Sequence, residues 1–105
     1  MSGRHRLTSQ ALADLEGIAS YLGERNPRAA DRVIDLIVGS FALLGNNPDL
    51  GTKRDDLRAG LRIFSPARPA HNYVVLYYKS PTGIEINGIV HGARDWPALV
   101  ARGDR

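Results

Sequence analysis

The chain has 105 residues, enough for one compact domain and too few for two that would each bury a core. It has no cysteine, which excludes disulfides and thiolate chemistry, and no apolar stretch near the roughly 20 residues of a membrane span. The net charge is +3, and residues 53–105 carry the excess, with nine lysines and arginines against five acidic residues. We therefore expect a single domain over residues 1–105, and the absence of a secretory signal in MSGRHRLTSQ indicates a cytoplasmic protein.

Two amphipathic helices are predicted near the N-terminus, after a short strand. Residues 4–8, RHRLT, have the length of an edge strand, and Thr8 is placed to cap the helix that follows. Apolar residues then recur at helical spacing over residues 9–22. The dipeptide at Asn26 and Pro27 is typical of a helix start, and a second apolar stripe follows it. Because few residues separate the two helices, they should pack antiparallel as a hairpin.

A loop and three strands are predicted after the helices. Residues 45–56 collect Gly, Asn, Pro and Asp and should form a loop. The strands are expected at residues 61–64, 72–79 and 84–91, with a tight hairpin between the last two. The middle strand is apolar on both faces and should be central, and Gly88 indicates a bulge or a close backbone approach in the last strand. The predicted fold class is α+β: an N-terminal strand, a helical hairpin and a three-stranded antiparallel meander.

Several kinds of site find little support in the residues. The three histidines, His5, His71 and His91, are not at metal-ligand spacing, and no glycine-rich phosphate loop is present, so we expect neither a metal nor a cofactor. Ser65, His91 and Asp95 contain the residue types of a catalytic triad. No nucleophile elbow surrounds Ser65, however, and the triad is not favoured.

Basic residues flank the predicted strands: Lys53, Arg54, Arg58, Arg62, Arg68, Lys79 and Arg94. If the meander is correct, Arg62 and Arg94 lie at one end or face of the sheet and are suited to phosphates or an acidic partner. The alternative for Arg62 is an ordinary solvated strand residue. Direct nucleic-acid binding is not expected, because the net charge is modest and no aromatic residues alternate with the arginines.

The segment HGARDW, residues 91–96, combines polar groups with the only tryptophan of the chain. His91 at a strand end is either a hydrogen-bonded structural residue or a general base. Arg94 and Asp95 are predicted to form an ion pair or turn lock that fixes the C-terminal segment. Trp96 is interpreted as an apolar lid, with an exposed partner-binding residue as the alternative. The tail after Leu99 is expected to fray.

Four motifs in this order resemble the ParE branch of the RelE/ParE toxin superfamily, over residues 7–95. They are A..DL..I..Y from Ala11 to Tyr21, GLR.F at residues 60–64, Y.VLY at residues 73–77, and the terminal HGARD. The resemblance implies a strand, a helical hairpin and an antiparallel sheet, which agrees with the elements predicted above. It also implies a toxin that is neutralised by a cognate ParD-like antitoxin, whose C-terminal segment wraps over it.

The resemblance implies one of two activities. ParE-like members poison DNA gyrase by binding, whereas RelE-like members cut messenger RNA on the ribosome. A nuclease here would use Arg62, His91 and Arg94, but the last strand is followed by Asp95 and Trp96 rather than by the Tyr or His of RNA-cutting relatives. We therefore expect a gyrase inhibitor without catalytic residues, and keep the mRNA endonuclease as the alternative.

The candidate contacts follow from the same resemblance. The hairpin and sheet would form an apolar groove for an amphipathic antitoxin helix, with strand addition at a sheet edge as a further possibility. The candidate residues for the antitoxin or the target are Arg54, Arg58, Arg62, Arg94 and Trp96. The motif residues His91, Gly92, Arg94 and Asp95 are assigned a structural role. One departure from the ParE pattern is Gly88, where a basic residue is frequent, and it weakens gyrase as the target.

Overall fold

The computed structural model of the chain describes residues 4–103 and has an α+β fold, as predicted. Its elements are β1 (Arg4–Leu7), α1 (Ser9–Arg25), α2 (Pro27–Asn46), β2 (Thr52–Lys53), β3 (Arg62–Phe64), β4 (Tyr73–Ser80), β5 (Gly83–His91) and α3 (Trp96–Ala101). No helix within the described residues is both long and apolar enough to span a membrane.

The two long helices form because side chains at their starts satisfy the free backbone N–H groups. The Thr8 hydroxyl accepts the Ala11 N–H at 3.1 Å. The Asn26 side chain accepts the Ala29 N–H at 3.2 Å, while its own N–H donates to the Leu22 carbonyl at 2.9 Å. Asn26 thus ends α1 and starts α2 in one residue. Helix α1 therefore continues to Arg25, three residues past its predicted end.

The sheet has five strands in the order β1-β5-β4-β3-β2. Strand β1 pairs parallel with β5, and the other pairs are antiparallel. The additional strand, β2, lies inside the segment predicted as a loop and pairs with Ile63 and Arg62 of β3. The register between β4 and β5 shifts between Leu76, which faces Gly88, and Tyr77, which faces Ile86. The bulge predicted near Gly88 is therefore confirmed.

Both faces of the sheet are covered. The hairpin of α1 and α2 packs on one face, where Ile37, Phe41 and Leu44 meet Val75 and Tyr77. The opposite face carries a second apolar cluster: Leu61, Val74, Leu76, Val90, Trp96 and Val100. Because β4 contributes to both clusters, its predicted central position is confirmed.

The C-terminal segment is more ordered than predicted. Residues 96–101 form α3, and Val100 within it is only 2% exposed because it packs in the second cluster. The predicted fraying from Leu99 is therefore wrong up to Ala101, since the apolar side chain of Val100 finds a buried position on the sheet. Residues 104 and 105 lie outside the described part of the chain.

Candidate functional site

The Arg62 side chain, on β3, is bound by other residues of the protein. Its Nη1 donates to the carbonyl oxygens of Asp49 at 3.1 Å and Gly51 at 2.7 Å. Its Nη2 lies 3.2 Å from the Asp49 carboxylate, and the side chain is only 11% exposed. Arg62 therefore fastens residues 47–51 to the sheet. The interpretation of Arg62 as a solvated strand residue is wrong, because its donors are engaged by the loop after α2.

Tyr77 completes this attachment from the neighbouring strand. Its hydroxyl donates to the Pro48 carbonyl and accepts the Gly51 N–H, both at 2.8 Å. Burial raises the pKa of the Tyr77 phenol above its usual value. Sequence reasoning missed Tyr77 as a polar anchor. The available signal was a tyrosine in a central strand, because a buried phenol needs a partner for its hydroxyl.

Lys79 and Asp49 form the exposed edge of the same arrangement. The Lys79 Nζ lies 2.8 Å from the Asp49 carboxylate, which Arg62 also contacts. This hydrogen bond, with the positive charge of Lys79, lowers the pKa of Asp49 below its usual range. Two cations predicted to be available for a ligand therefore share one carboxylate of the protein itself.

The arginines before β3 hold the C-terminal helix. Arg54 forms a two-contact ion pair with Asp56, both at 3.0 Å, and its guanidinium carbon lies 5.6 Å from the centre of the Trp96 ring. Arg58 donates to the Val100 carbonyl at 3.4 Å. Trp96 is 7% exposed and belongs to the second apolar cluster. The apolar-lid interpretation of Trp96 is thus confirmed, and this side chain does not offer the exposed contact considered for it.

The HGARD turn is fixed by backbone hydrogen bonds. The Gly92 N–H donates to the Asn72 carbonyl at 2.7 Å, and the Arg94 N–H donates to the His91 carbonyl at 3.0 Å. Among residues 4–103, Arg94 and Asp95 form no ion pair with each other or with other residues. The predicted Arg94–Asp95 lock is wrong, because both side chains are exposed and the turn is closed without them.

His91 has a hydrogen-bonded, structural environment. Its Nδ1 accepts the Ala93 N–H at 3.0 Å, and its ring lies edge-on to Tyr73 with the ring centres 5.2 Å apart. Because Nδ1 is engaged by the backbone, Asp95 does not orient this imidazole as a triad would require. Within the described residues, no group of three His, Asp or Glu side chains is placed to hold a metal ion.

The three residues considered for RNA cleavage are not brought together. Arg62 faces Tyr77 across β3 and β4, whereas His91 faces Tyr73 across β4 and β5. These two positions of β4 are four residues apart, about 13 Å along the strand, and their partners lie on opposite sides of it. Of the three, only His91 and Arg94 line a common cleft.

That cleft is a groove between α1, the end of β5 and the segment before β4, with a volume of about 670 Å³. It forms because β1 ends at Leu7, opposite Ile86, while β5 continues to His91. Beyond Ile86, the edge of β5 is no longer paired with β1. There the carboxylate of Asp14, on α1, accepts the Ile89 N–H at 3.0 Å. The floor is apolar, and its residues are Ile18, Leu22, Val33, Tyr73 and Ile89.

Two tyrosines belong to this groove. Tyr73 is 9% exposed, and burial first, then proximity to Tyr21, raises the pKa of its phenol. Tyr21 is 55% exposed, with the Arg25 guanidinium 3.6 Å from its ring centre. Sequence reasoning did not assign these tyrosines or Asp14 to a site, although all three belong to the motifs that carried the family resemblance.

Comparisons with known proteins identify the family. The family model described as the ParE toxin of the type II toxin-antitoxin system, parDE, matches residues 6–96. This chain belongs to the ParE toxin family. It is similar to Toxin RelE3 of Caulobacter vibrioides, with 34% identity over 85 residues that cover 81% of this chain and 89% of that protein.

A solved structure shows the same fold. The chromosomal ParDE TA system from P. aeruginosa superposes with a TM-score of 0.71 at 21% identity, over 86% of this chain and 96% of that one. A helical hairpin packed on a mostly antiparallel sheet is therefore the fold that this chain shares with a solved structure. The shared fold does not by itself separate gyrase inhibition from RNA cleavage.

Proposed function

We propose that this ParE family toxin arrests growth by binding and inhibiting DNA gyrase, and that a cognate antitoxin neutralises it. The observation that carries the choice of target is the engagement of Arg62. An RNA-cutting site needs free cations for the charge that develops on the phosphate, as well as an acid and a base. Here the guanidinium of Arg62 is bound to three oxygens of residues 49 and 51.

The C-terminal segment supports the same choice. The positions after β5 carry Asp95, an exposed acid that would repel a phosphate, and Trp96, the first residue of α3, which is buried in the second apolar cluster. His91 has its Nδ1 engaged by the Ala93 N–H and lies far along the sheet from Arg62. A toxin that acts by binding needs none of these groups for proton transfer.

The groove supports the antitoxin as partner. It joins an apolar floor to the exposed cation of Arg94, and an amphipathic helix with acidic residues has the complementary surface. Burial of that floor would supply most of the binding free energy, and the charges would set the register of the partner.

The decisive experiment compares two activities of the purified toxin. We expect inhibition of gyrase supercoiling, and no cleavage of messenger RNA on programmed ribosomes at the same concentration. The antitoxin encoded beside the toxin gene should relieve both the inhibition and the growth arrest. RNA cleavage without gyrase inhibition would assign the chain to the endonuclease alternative, with His91 and Arg94 as its first residues to test.

A further inference from the structure

The groove contains polar groups that the fold itself does not use. Tyr73 is 9% exposed. Its hydroxyl forms no hydrogen bond with any residue that the structure describes and is not fully buried, so it faces the solvent of the groove. The Tyr73 hydroxyl lines the groove and is therefore available to a ligand that enters it.

Two further donors lie on the walls of the same groove. The Tyr21 side chain lines the groove together with Tyr73, and it is exposed on the α1 side. Arg94 is exposed on the opposite wall, where the hydrogen bond from its N–H to the His91 carbonyl fixes the turn. Two hydroxyls and one guanidinium without an ion-pair partner are the donors that a carboxylate prefers.

The α1 wall is shaped for a closely packed helix. Ala13 and Gly17 line it, and a methyl group added at Gly17 would meet no atom within 4 Å. Small side chains allow two helix backbones to approach closely. The Asp14 carboxylate lies on the same wall, bound to the Ile89 N–H, so it repels an acidic residue placed beside it. A partner carboxylate is thereby directed to the Arg94 end.

We propose that this groove binds one carboxylate of an acidic amphipathic antitoxin helix. That carboxylate accepts hydrogen bonds from the hydroxyls of Tyr73 and Tyr21 and from the Arg94 guanidinium. The apolar side chains of that helix pack on Ile18, Leu22 and Ile89. The inference rests on the proposed neutralisation by an antitoxin and adds the residues that select the partner. Tyr73 is the central residue, because burial of its ring fixes the position of the hydroxyl before the partner arrives.

The test measures how tightly the toxin binds the antitoxin encoded beside its gene. Tyr73→Phe removes only the hydroxyl, and we expect the dissociation constant to rise about ten-fold or more, as for a lost hydrogen bond to a charged group. Arg94→Gln should weaken binding in a salt-dependent way. Matched controls are Tyr78→Phe, on the same strand but the opposite face, and Arg28→Gln, on α2 away from the groove. Neither control should change the dissociation constant.

A second measurement identifies the carboxylate. Each acidic residue of the antitoxin is replaced by its amide and tested against the wild-type toxin and Tyr73→Phe. One replacement should weaken binding to the wild type and add little in the Tyr73→Phe background, which is the mark of a shared contact. Thermal unfolding of each toxin variant checks that its fold is kept.

The outcomes separate this inference from the proposed function. If the antitoxin binds the wild type and Tyr73→Phe equally, the carboxylate site is overturned while neutralisation stands. If the antitoxin does not bind the toxin at all, both fail. Self-association of the free toxin that is lost in Arg94→Gln would make a second copy the occupant, and would also overturn the inference.

Discussion

The Gly51 amide lies 2.8 Å from the Tyr77 hydroxyl, and a methyl group added at Gly51 would lie 2.5 Å from that oxygen. The same added group would lie 2.8 Å from the Ile63 carbonyl oxygen, so it would meet both a side chain and the backbone. The loop after α2 can therefore reach the sheet only if residue 51 has no side chain. This close approach sets the position of Asp49 and of β2.

Gly51→Ala should destabilise the protein, because Tyr77 and the loop must separate to admit the methyl group. We expect a loss of about 1–3 kcal/mol in the free energy of unfolding, measured by urea denaturation. Gly39→Ala is the matched control, since Gly39 lies in α2 with open space around it. That change should be neutral or stabilise by up to about 1 kcal/mol. Equal effects of the two changes would contradict the close approach.

Tyr77→Phe should cost about 1–3 kcal/mol of unfolding free energy, because it leaves the Gly51 N–H and the Pro48 carbonyl without their buried partner. Tyr78→Phe provides the comparison. The Tyr78 hydroxyl is buried with no hydrogen-bond partner among the described residues, so its removal should be neutral or stabilising. Denaturation curves of both variants and the wild type measure the difference.

The ion pair of Asp49 with Lys79 should make stability depend on pH below about pH 4. The pKa of Asp49 is lowered in the folded state, chiefly by Lys79, so the unfolded chain binds the proton more tightly. The stabilisation is present above the unfolded pKa of about 3.9 and is lost as the pH falls through the folded value. Denaturation between pH 2.5 and 6 should therefore show a shallower acid decline for Asp49→Asn than for the wild type. An unchanged decline would exclude this contribution.

Trp96→Ala should destabilise far more than Asp95→Ala. Trp96 fills the second apolar cluster, and removing a buried tryptophan typically costs about 3–5 kcal/mol. Asp95 is exposed and its side chain makes no cap hydrogen bond to α3, so its replacement should change stability by less than about 0.5 kcal/mol. Thermal unfolding of the two neighbouring variants checks both values. A large loss in Asp95→Ala would restore the predicted lock at this turn.

The helices were predictable because their signals are local. Thr8 and Asn26 act on N–H groups three residues away, and the apolar stripe of α2 repeats within the helix itself. The bulge was also marked locally, by Gly88 within a strand that is otherwise rich in isoleucine and valine. Each of these features is determined by residues that are close to one another in the sequence.

The site was less predictable because it depends on distant pairs. Strand β2 has only two residues and exists because Arg62 and Tyr77 hold the preceding loop against β3. The groove exists because β1 is shorter than its partner β5, a difference that becomes visible only once the register of the two strands is known. Arg62 is recognisable as a cation from the sequence, but its ion pair with Asp49 can be identified only once the fold is known.

The parallel pair of β1 and β5 has a consequence for synthesis of the chain on the ribosome. The first strand, Arg4–Leu7, finds its partner only when residues 83–86 have been made, and β5 is also the strand that joins β1 to β4. The helical hairpin is translated before β4 and β5, so the sheet beneath it closes only after these two strands have been made. A growing chain of this toxin family member is therefore without its groove until β5 has been made.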